Sequence, residues 1–431
     1  MEHVFTRTPA LVYRPDGTSS PFASSALLPI FLIAVYLWPY SLSYLQGVQN
    51  VKLNIIKLKT VLFFVLLIGT TVPAMAQWQR TPTPNDTLQP IRRLADGSVV
   101  FSIYAPKART VSLAGDGDLV PFMGDNKPVV TENPNGVWNI TVKDVKDGVY
   151  RYHFVVDGVN VYDPKGELAS ETSALAHIDN GDAFFSMKDV PHGAISQRYY
   201  YSKPLKTYRR MHVWTPAGYE TSKKKLPVLY LVHGGGDTDN AWPTVGCAGL
   251  ILDNLLAEGK IVPMIVAMPN GNIRAQKRDM SDLMQNFTDD MMQSIIPFVE
   301  SNYRVLTDKD HRAMAGLSMG GIQTLECTLA NYEKFGYVFA LSSGFNPNLD
   351  YEEVAKQLHL KENADKINKT FRIFAHTQGG PTDITHISGE KTNKIFDKYG
   401  IKYEYSEPYQ TGHSWSTWRN NLKDLAPRLF K

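Results

Sequence analysis

Cysteine is scarce in this chain: Cys247 and Cys327 are all that 431 residues hold. They fit no metal-ligand spacing and no disulfide framework. Both lie in apolar segments, so two buried free thiols are expected, with a single bridge as the alternative. Charge of one sign is also lacking. Lys and Arg number 45 against 42 Asp and Glu, a formal charge of +3 with the signs interspersed. That gives no electrostatic case for nucleic acid as a partner. There is no internal repeat. No G-K-[ST] follows the glycine run at 233–236, which argues against a phosphate loop. His376 and His386 have no carboxylate spacing that makes metal ligands of them, so no metal site is expected.

What is present is a globular composition: 43 % hydrophobic and 20 % charged residues. The length suggests two domains plus appendages. Aromatic residues make up 11 %, with 22 Tyr and 7 Trp. That suits a protein that handles sugars or aromatic groups, and suits a β-rich core equally well.

Residues 1–76 read as a leader. Lys52, Lys57 and Lys59 precede the apolar run from Val61 to Gly69, and Ala74-Met75-Ala76 gives an A-x-A site before Gln77. This is the pattern of a bacterial Sec-type signal cleaved after Ala76, which places the rest of the chain in the periplasm or outside the cell. The apolar run is too short for a comfortable membrane span. A signal normally opens a chain, so translation is expected to start near Val51 or Leu53 on a non-ATG codon. The competing reading is a membrane anchor at 26–40, a stretch broken by Pro29 and Pro39.

Residues 77–90, rich in Pro and Thr, read as a linker. From 91 to 187 short strands alternate with turns: Ser98 to Tyr104, Thr110 to Ala114, Val137 to Val142, Val149 to Val156 and Val159 to Tyr162. Asp157-Gly158 is a two-residue hairpin signal between the last two. Strands of this kind imply an immunoglobulin-like β-sandwich. The segment resembles the early-set modules placed before glycan-active enzymes, including carbohydrate-binding family 48. Trp138 alternates with polar residues and is read as core rather than as a sugar platform. From 192 to 431 the regime changes. Tyr199 to Ser202 and Arg209 to Pro216 read as an antiparallel hairpin. Apolar strands at 228–232, 264–268, 337–342, 371–375 and 402–405 then alternate with helices, one over 251–257 with Gly259 at its end and one over 289–303. Fully apolar strands alternating with helices imply an α/β fold, a mostly parallel sheet covered on both faces.

Within that regime Gly316-Leu317-Ser318-Met319-Gly320 is a G-x-S-x-G sequence. The apolar stretch from Arg312 leads in, and a helix-compatible stretch from Ile322 leads out. Such a strand-turn-helix holds a serine in a strained, exposed position above a helix N-terminus. A serine hydroxyl needs a base. His413 follows the last strand, in the chain order Ser, acid, His expected of an α/β-hydrolase. Asp383 lies in the loop after the 371–375 strand and is the expected acid; Asp350 is the reserve, and a helix N-cap is the bland alternative for Asp383. The oxyanion donors are expected from the N–H groups of Met319 and Gly235. Gly234 and Gly236 let substrate approach the backbone. Trp242 is read either as lining the acyl pocket or as a surface or core residue. Acyl transfer through serine calls for no cofactor.

Together these stretches resemble the esterase D group of α/β-hydrolases, carbohydrate esterase family 1. The residues that carry it include Tyr230 to Gly236, Ile251 to Leu255, Met264 to Gly271, Ile296 to Val305, Gly316 to Gly321 and Gly412 to Trp415. Gly380-Pro381-Thr382-Asp383 matches the family's Gly-x-x-Asp acid position. The resemblance covers the whole of 192–431. With a sandwich ahead of that domain, it implies an exported feruloyl or acetyl xylan esterase whose partner is acylated plant polysaccharide or oligosaccharide. A siderophore (enterochelin-type) or generic carboxylesterase is the rival within enzymes. A catalytically inactive carbohydrate-binding protein is the rival outside them. The acyl group and the oligomeric state are not legible.

Overall fold

The computed structural model describes residues 80–431 apart from 125–127, 167, 169, 172 and 274–279. The leader, its cleavage site and the alternative anchor lie outside the described residues. Among those described, no helix is long and apolar enough to cross a membrane. Thr83–Lys431 forms one compact unit that holds both the strand-rich and the strand-helix regions.

The first region is a two-sheet sandwich. Strands β1 (Ile91–Arg93), β2 (Val99–Tyr104), β3 (Val111–Gly115), β4 (Val129–Glu132), β5 (Val137–Val142), β6 (Gly148–Val156), β7 (Val159–Val161) and β8 (Ala174–Ile178) pair antiparallel. One sheet runs β1-β2-β5-β4; the other is built on β6, flanked by β3, β7 and β8. A helical turn, α1 (Val120–Met123), follows β3. Alternate residues point inward, so Phe101, Tyr152 and Phe154 meet edge to face at the centre. Trp138 belongs to this core: it is buried, and its indole N–H donates to the Ala105 carbonyl at 3.1 Å. Sequence reading passed over β1, β4 and β8.

The second region is an eight-stranded sheet. Its strands are β9 (Ala194–Ser202), β10 (Thr207–Thr215), β11 (Val228–Val232), β12 (Ile265–Pro269), β13 (Arg312–Leu317), β14 (Tyr337–Leu341), β15 (Ile373–Thr377) and β16 (Glu404–Ser406), in the order β16-β15-β14-β13-β11-β12-β10-β9. From β11 to β16 the pairing is parallel; β9 and β10 are antiparallel at one edge. The helices are α2 (Ala248–Ala257), α3 (Met280–Asp290), α4 (Ile296–Asn302), α5 (Met319–Ala330), α6 (Tyr351–Gln357), α7 (Leu360–Thr370), α8 (His386–Tyr399) and α9 (Trp415–Leu425). Strand side chains alternate between two cores. Val228, Tyr230 and Val232 of β11 enter one, and Leu229 and Leu231 enter the other, which α2 and α9 help to build. A strand apolar on both faces must be covered on both, which is why β11 to β14 read as unbroken apolar runs.

The single helix expected over 289–303 is corrected. α3 ends at Asp290, a π-helical turn covers Met291–Ile295, and α4 begins with Pro297 in its first turn. Proline has no N–H to give, so it is tolerated where a helix starts and not within one. Cys247 and Cys327 are buried free thiols.

Candidate active site

β13 runs into α5 through a single residue, Ser318, whose φ of 52° and ψ of −119° lie far from helix or strand. The turn is too tight for side chains at its flanks. A Cβ on Gly316 would stand 2.1 Å from the Gly320 carbonyl oxygen, and one on Gly320 would stand 2.4 Å from that of His233. Ser318 keeps its place through its backbone. Its N–H donates to Leu341 at 2.9 Å, and its carbonyl accepts from Gly321 and Ile322. The Oγ is thereby lifted above the carboxyl edge of the sheet.

Two loops converge on it. His413 precedes α9, and its Nε2 lies 3.0 Å from Ser318 Oγ. On the other side of the ring, Nδ1–H donates to Asp383 Oδ1 at 2.8 Å. With Nδ1 protonated, Nε2 is free to accept the serine hydroxyl. Asp383 sits in the loop between β15 and α8 and is 4 % exposed. It also accepts from the Gly379 and Thr385 N–H groups, both at 3.0 Å. Burial alone would raise its carboxyl. The bond from His413 and that from the Thr385 backbone work the other way and hold it well below the ordinary carboxylate range. Asp350, the reserve acid, instead caps α6 by accepting from the Glu352 N–H at 2.9 Å.

The glycine run at 234–236, headed by His233, leaves β11 beside this turn. Gly234 packs on the elbow: a Cβ there would meet Leu317 at 2.6 Å and Ser318 at 3.2 Å. Gly235 faces Met319, whose Cβ is 3.9 Å from the position a Gly235 Cβ would take. Met319 opens α5, where N–H groups have no intrahelical acceptor. Gly236 takes a positive φ of 80°. Trp242, read either as lining the acyl pocket or as a surface or core residue, lies in the core. It is 1 % exposed, its ring meets Trp415 edge to face at 5.3 Å, and its N–H donates to Val232 at 3.1 Å. An indole this buried packs beneath the loop rather than at its surface.

His233 was read only as the head of the glycine motif, and several other residues that shape the site were given no role from the sequence. Buried His233 bonds Gly234 O through Nδ1 at 2.8 Å and accepts from the Gly271 N–H through Nε2 at 2.8 Å. Burial lowers its pKa, so it is a neutral pin between the glycine loop and the end of β12. Gln323 holds the same corner by donating to Gly271 O at 2.8 Å. The sandwich contributes as well. Arg151 on β6 pairs with Asp237, just past the glycine run, at 2.7 Å. Glu171 accepts from Thr238 at 2.8 Å and pairs with Arg210. Asp118 accepts the Trp415 N–H at 2.9 Å, two residues after His413. These partners are far apart in sequence, so no local pattern announces them. Among the described residues no cluster of His, Cys, Asp and Glu suits a metal ion.

A strained serine, an imidazole and a carboxylate in hydrogen-bonded series at the carboxyl edge of such a sheet define a serine hydrolase of the α/β-hydrolase class. More narrowly, the chain belongs to the Esterase family, which matches residues 202–429. Carbohydrate-binding module 48 (isoamylase N-terminal domain) matches residues 88–170. The chain is 31 % identical over 355 residues to a Xylanibacter ruminicola protein named endo-1,4-beta-xylanase/feruloyl esterase, with 78 % of this chain and 45 % of that one covered. It is 26 % identical over 253 residues to endo-1,4-beta-xylanase Y of Acetivibrio thermocellus, with 52 % and 22 % covered. The chain thus spans less than half the length of these two relatives. Among solved structures, the enterobactin esterase FES of Shigella flexneri superposes with a TM-score of 0.54 at 16 % identity, covering 79 % of this chain and 95 % of that one. At that identity the likeness speaks for the fold alone.

Proposed function

We propose that this chain is an exported serine esterase that removes feruloyl or acetyl groups from xylan-type polysaccharide. The observation that carries the reading is the line from Ser318 Oγ through His413 to Asp383, with 3.0 Å and 2.8 Å links. In this reading Ser318 Oγ attacks the ester carbonyl carbon while its proton passes to His413 Nε2. Asp383 keeps the proton on Nδ1 and stabilises the imidazolium. The N–H groups of Met319 and Gly235 receive the oxyanion; Gly236 gives the substrate room, while Gly234, read beside it as a substrate residue, makes room for the elbow itself. The C–O bond breaks, and the sugar alcohol leaves with the proton from His413. Water, deprotonated by His413, then attacks the acyl-serine and frees the acid. The steps balance with water as the sole co-reactant.

The substrate class rests on the Xylanibacter relative, which carries both names and covers most of this chain. Export rests on the leader pattern, and a mature N-terminus at Gln77 is expected from sequencing the exported protein. Ser318→Ala is expected to cut hydrolysis of a feruloylated arabinoxylan fragment and of an aryl acetate by about 10⁴-fold or more. Its melting temperature is expected to stay near that of the parent. Esterase activity surviving in that variant would refute the nucleophile. Rates on matched feruloyl and acetyl xylan oligosaccharides decide the acyl group.

A further inference from the structure

A cavity of about 1140 Å³ among the described residues has no part of Ser318 in its lining. It lies at the other side of the glycine loop, against the β9–β10 hairpin. Tyr199 and Tyr208 line it, together with Asn270, Asn272, Asn286 and Thr238. We propose that this groove and the tyrosine face beside it form a second binding site, which holds the neutral pyranose backbone of a polysaccharide at a distance from the serine. The proposal rests on the esterase reading for the identity of that polysaccharide.

The hairpin sequence is unusual in what it leaves in water. Successive residues of a strand point to opposite faces. Tyr200 turns inward and is 3 % exposed, which fills the core. Its neighbours Tyr199 and Tyr201 turn outward, at 62 % and 50 % exposed. Across the ladder Tyr208 stands opposite Tyr201, and Arg210 stands opposite Tyr199. Tyr208 is 76 % exposed, and its ring meets that of Tyr201 edge to face at 5.4 Å. Of five strongly exposed aromatic rings among the described residues, these three share one face. Tyr199 accepts from Gln197 at 2.9 Å, but none of the three rings belongs to the core that Tyr200 enters, and a clustered exposed patch marks a contact surface.

The chemistry of the groove selects the occupant. Of the three cations in its lining, Lys206, Arg209 and Arg210, the two guanidinium groups are spent inside the protein. Arg209 pairs with Asp290 at 2.9 Å, and Arg210 pairs with Asp239 at 2.8 Å and with Glu171. That leaves one lysine for an anion, against the carboxylate of Glu171 in the same lining. Besides Lys206, Pro204 and Leu205, the remaining lining is carboxamide, hydroxyl and aromatic face, a surface too polar for a purely apolar ligand. A pyranose ring matches it: its C–H face meets the negative face of a π system, and its hydroxyls exchange hydrogen bonds with side-chain amides.

Position agrees with the chemistry. Met211 pairs with Pro269, the last residue of β12, so Thr207 to Arg210 project beyond the carboxyl edge. Ser318 stands at that same edge. From β13, the hairpin strands β10 and β9 are three and four places along the sheet. At about 4.8 Å per strand that is roughly 14 and 19 Å, a span of a few sugar rings. A backbone held on the tyrosines would reach the serine with an ester several units away.

The test pairs two substrates. Tyr199→Ala with Tyr208→Ala is expected to leave kcat and KM on an aryl acetate unchanged, because neither ring touches the catalytic line. On polymeric feruloylated arabinoxylan the same variant is expected to show KM raised roughly tenfold at unchanged kcat. In a Ser318→Ala background, depletion by insoluble xylan is expected to fall by a like factor. Tyr208→Trp, which keeps a stacking face, is expected to retain binding. Equal kinetics on the polymer would overturn the site. So would equal losses on both substrates, or a dimer in the parent that the double variant abolishes, which would assign the face to self-association. If the parent binds xylan through these rings yet releases no acid from it, the esterase reading fails and the site stands.

Discussion

Ser318 holds a backbone conformation that costs an L-residue of order 1–3 kcal/mol, and the turn around it supplies the compensation. Strain of this kind was legible in the sequence, because only glycines at 316 and 320 permit it. His413 was read from chain order and Asp383 from its loop after the 371–375 strand, and both lie in hydrogen-bonded series with Ser318. The state of Trp242 was not, because a tryptophan near a glycine loop looks the same in sequence whether its ring faces substrate or Trp415. Asp383 gives the sharpest residue-scale prediction. Its bond orients the imidazole, and Asp383→Asn can turn an N–H toward Nδ1 and reverse the tautomer. The expected result is kcat lower by roughly 10³–10⁴ at nearly constant KM. A variant within tenfold of the parent would show that His413 is held by other contacts. The lowered carboxyl also has a sign for stability. Its contribution is present above the unfolded carboxylate value and is lost only as pH falls through the depressed folded one.

Elements were legible where burial wrote them. β11, β12 and β14 are covered on both faces and read as unbroken apolar runs. β4 is the opposite case. All four of its residues, Val129 to Glu132, are exposed, so no alternation marks it and only its ladder with β5 makes it a strand. The π-helical turn at Met291–Ile295 failed for another reason: apolar spacing continues through it, and only Pro297 hints that the helix must restart. The element most sensitive to a single atom is the junction of β13 and α5. A methyl on Gly316 would sit 2.1 Å from the Gly320 carbonyl, which is backbone and cannot swing away. Gly316→Ala is expected to lower stability by about 3 kcal/mol or more, read as a fall in melting temperature or loss of soluble protein. A parent-like melt would mean that the elbow has room the geometry does not show.

At the scale of the whole molecule, the sandwich braces both loops that meet at Ser318. Arg151 pairs with Asp237 beside the glycine run, Arg419 donates to Val149 and Val245, and Asp118 holds the Trp415 N–H behind His413. None of this is visible in a local pattern, because each contact joins residues far apart in the sequence. Asp118 makes the arrangement testable through pH. Burial first, and the nearby Asp116 charge second, push its carboxyl up to about 6 from 3.8, against the opposing pull of Arg419 and Arg151. A folded value above the unfolded one means that the native state holds the proton more tightly. Stability should therefore fall as pH rises from about 4 to about 6 and stay lower above that. Asp118→Asn keeps an acceptor for Trp415 and removes the charge. At 1.36 kcal/mol per pKa unit, discounted because the group is partly in water, the variant should be more stable by about 1–2 kcal/mol at pH 7.5. At pH 4 the two proteins should melt together, and kcat on an aryl acetate should be unchanged at neutral pH. A variant less stable than the parent at pH 7.5 would show that the attraction of Asp118 to Arg151 and Arg419 outweighs the cost of burying its charge. The carboxylate would then be a partner in the brace rather than a load on it.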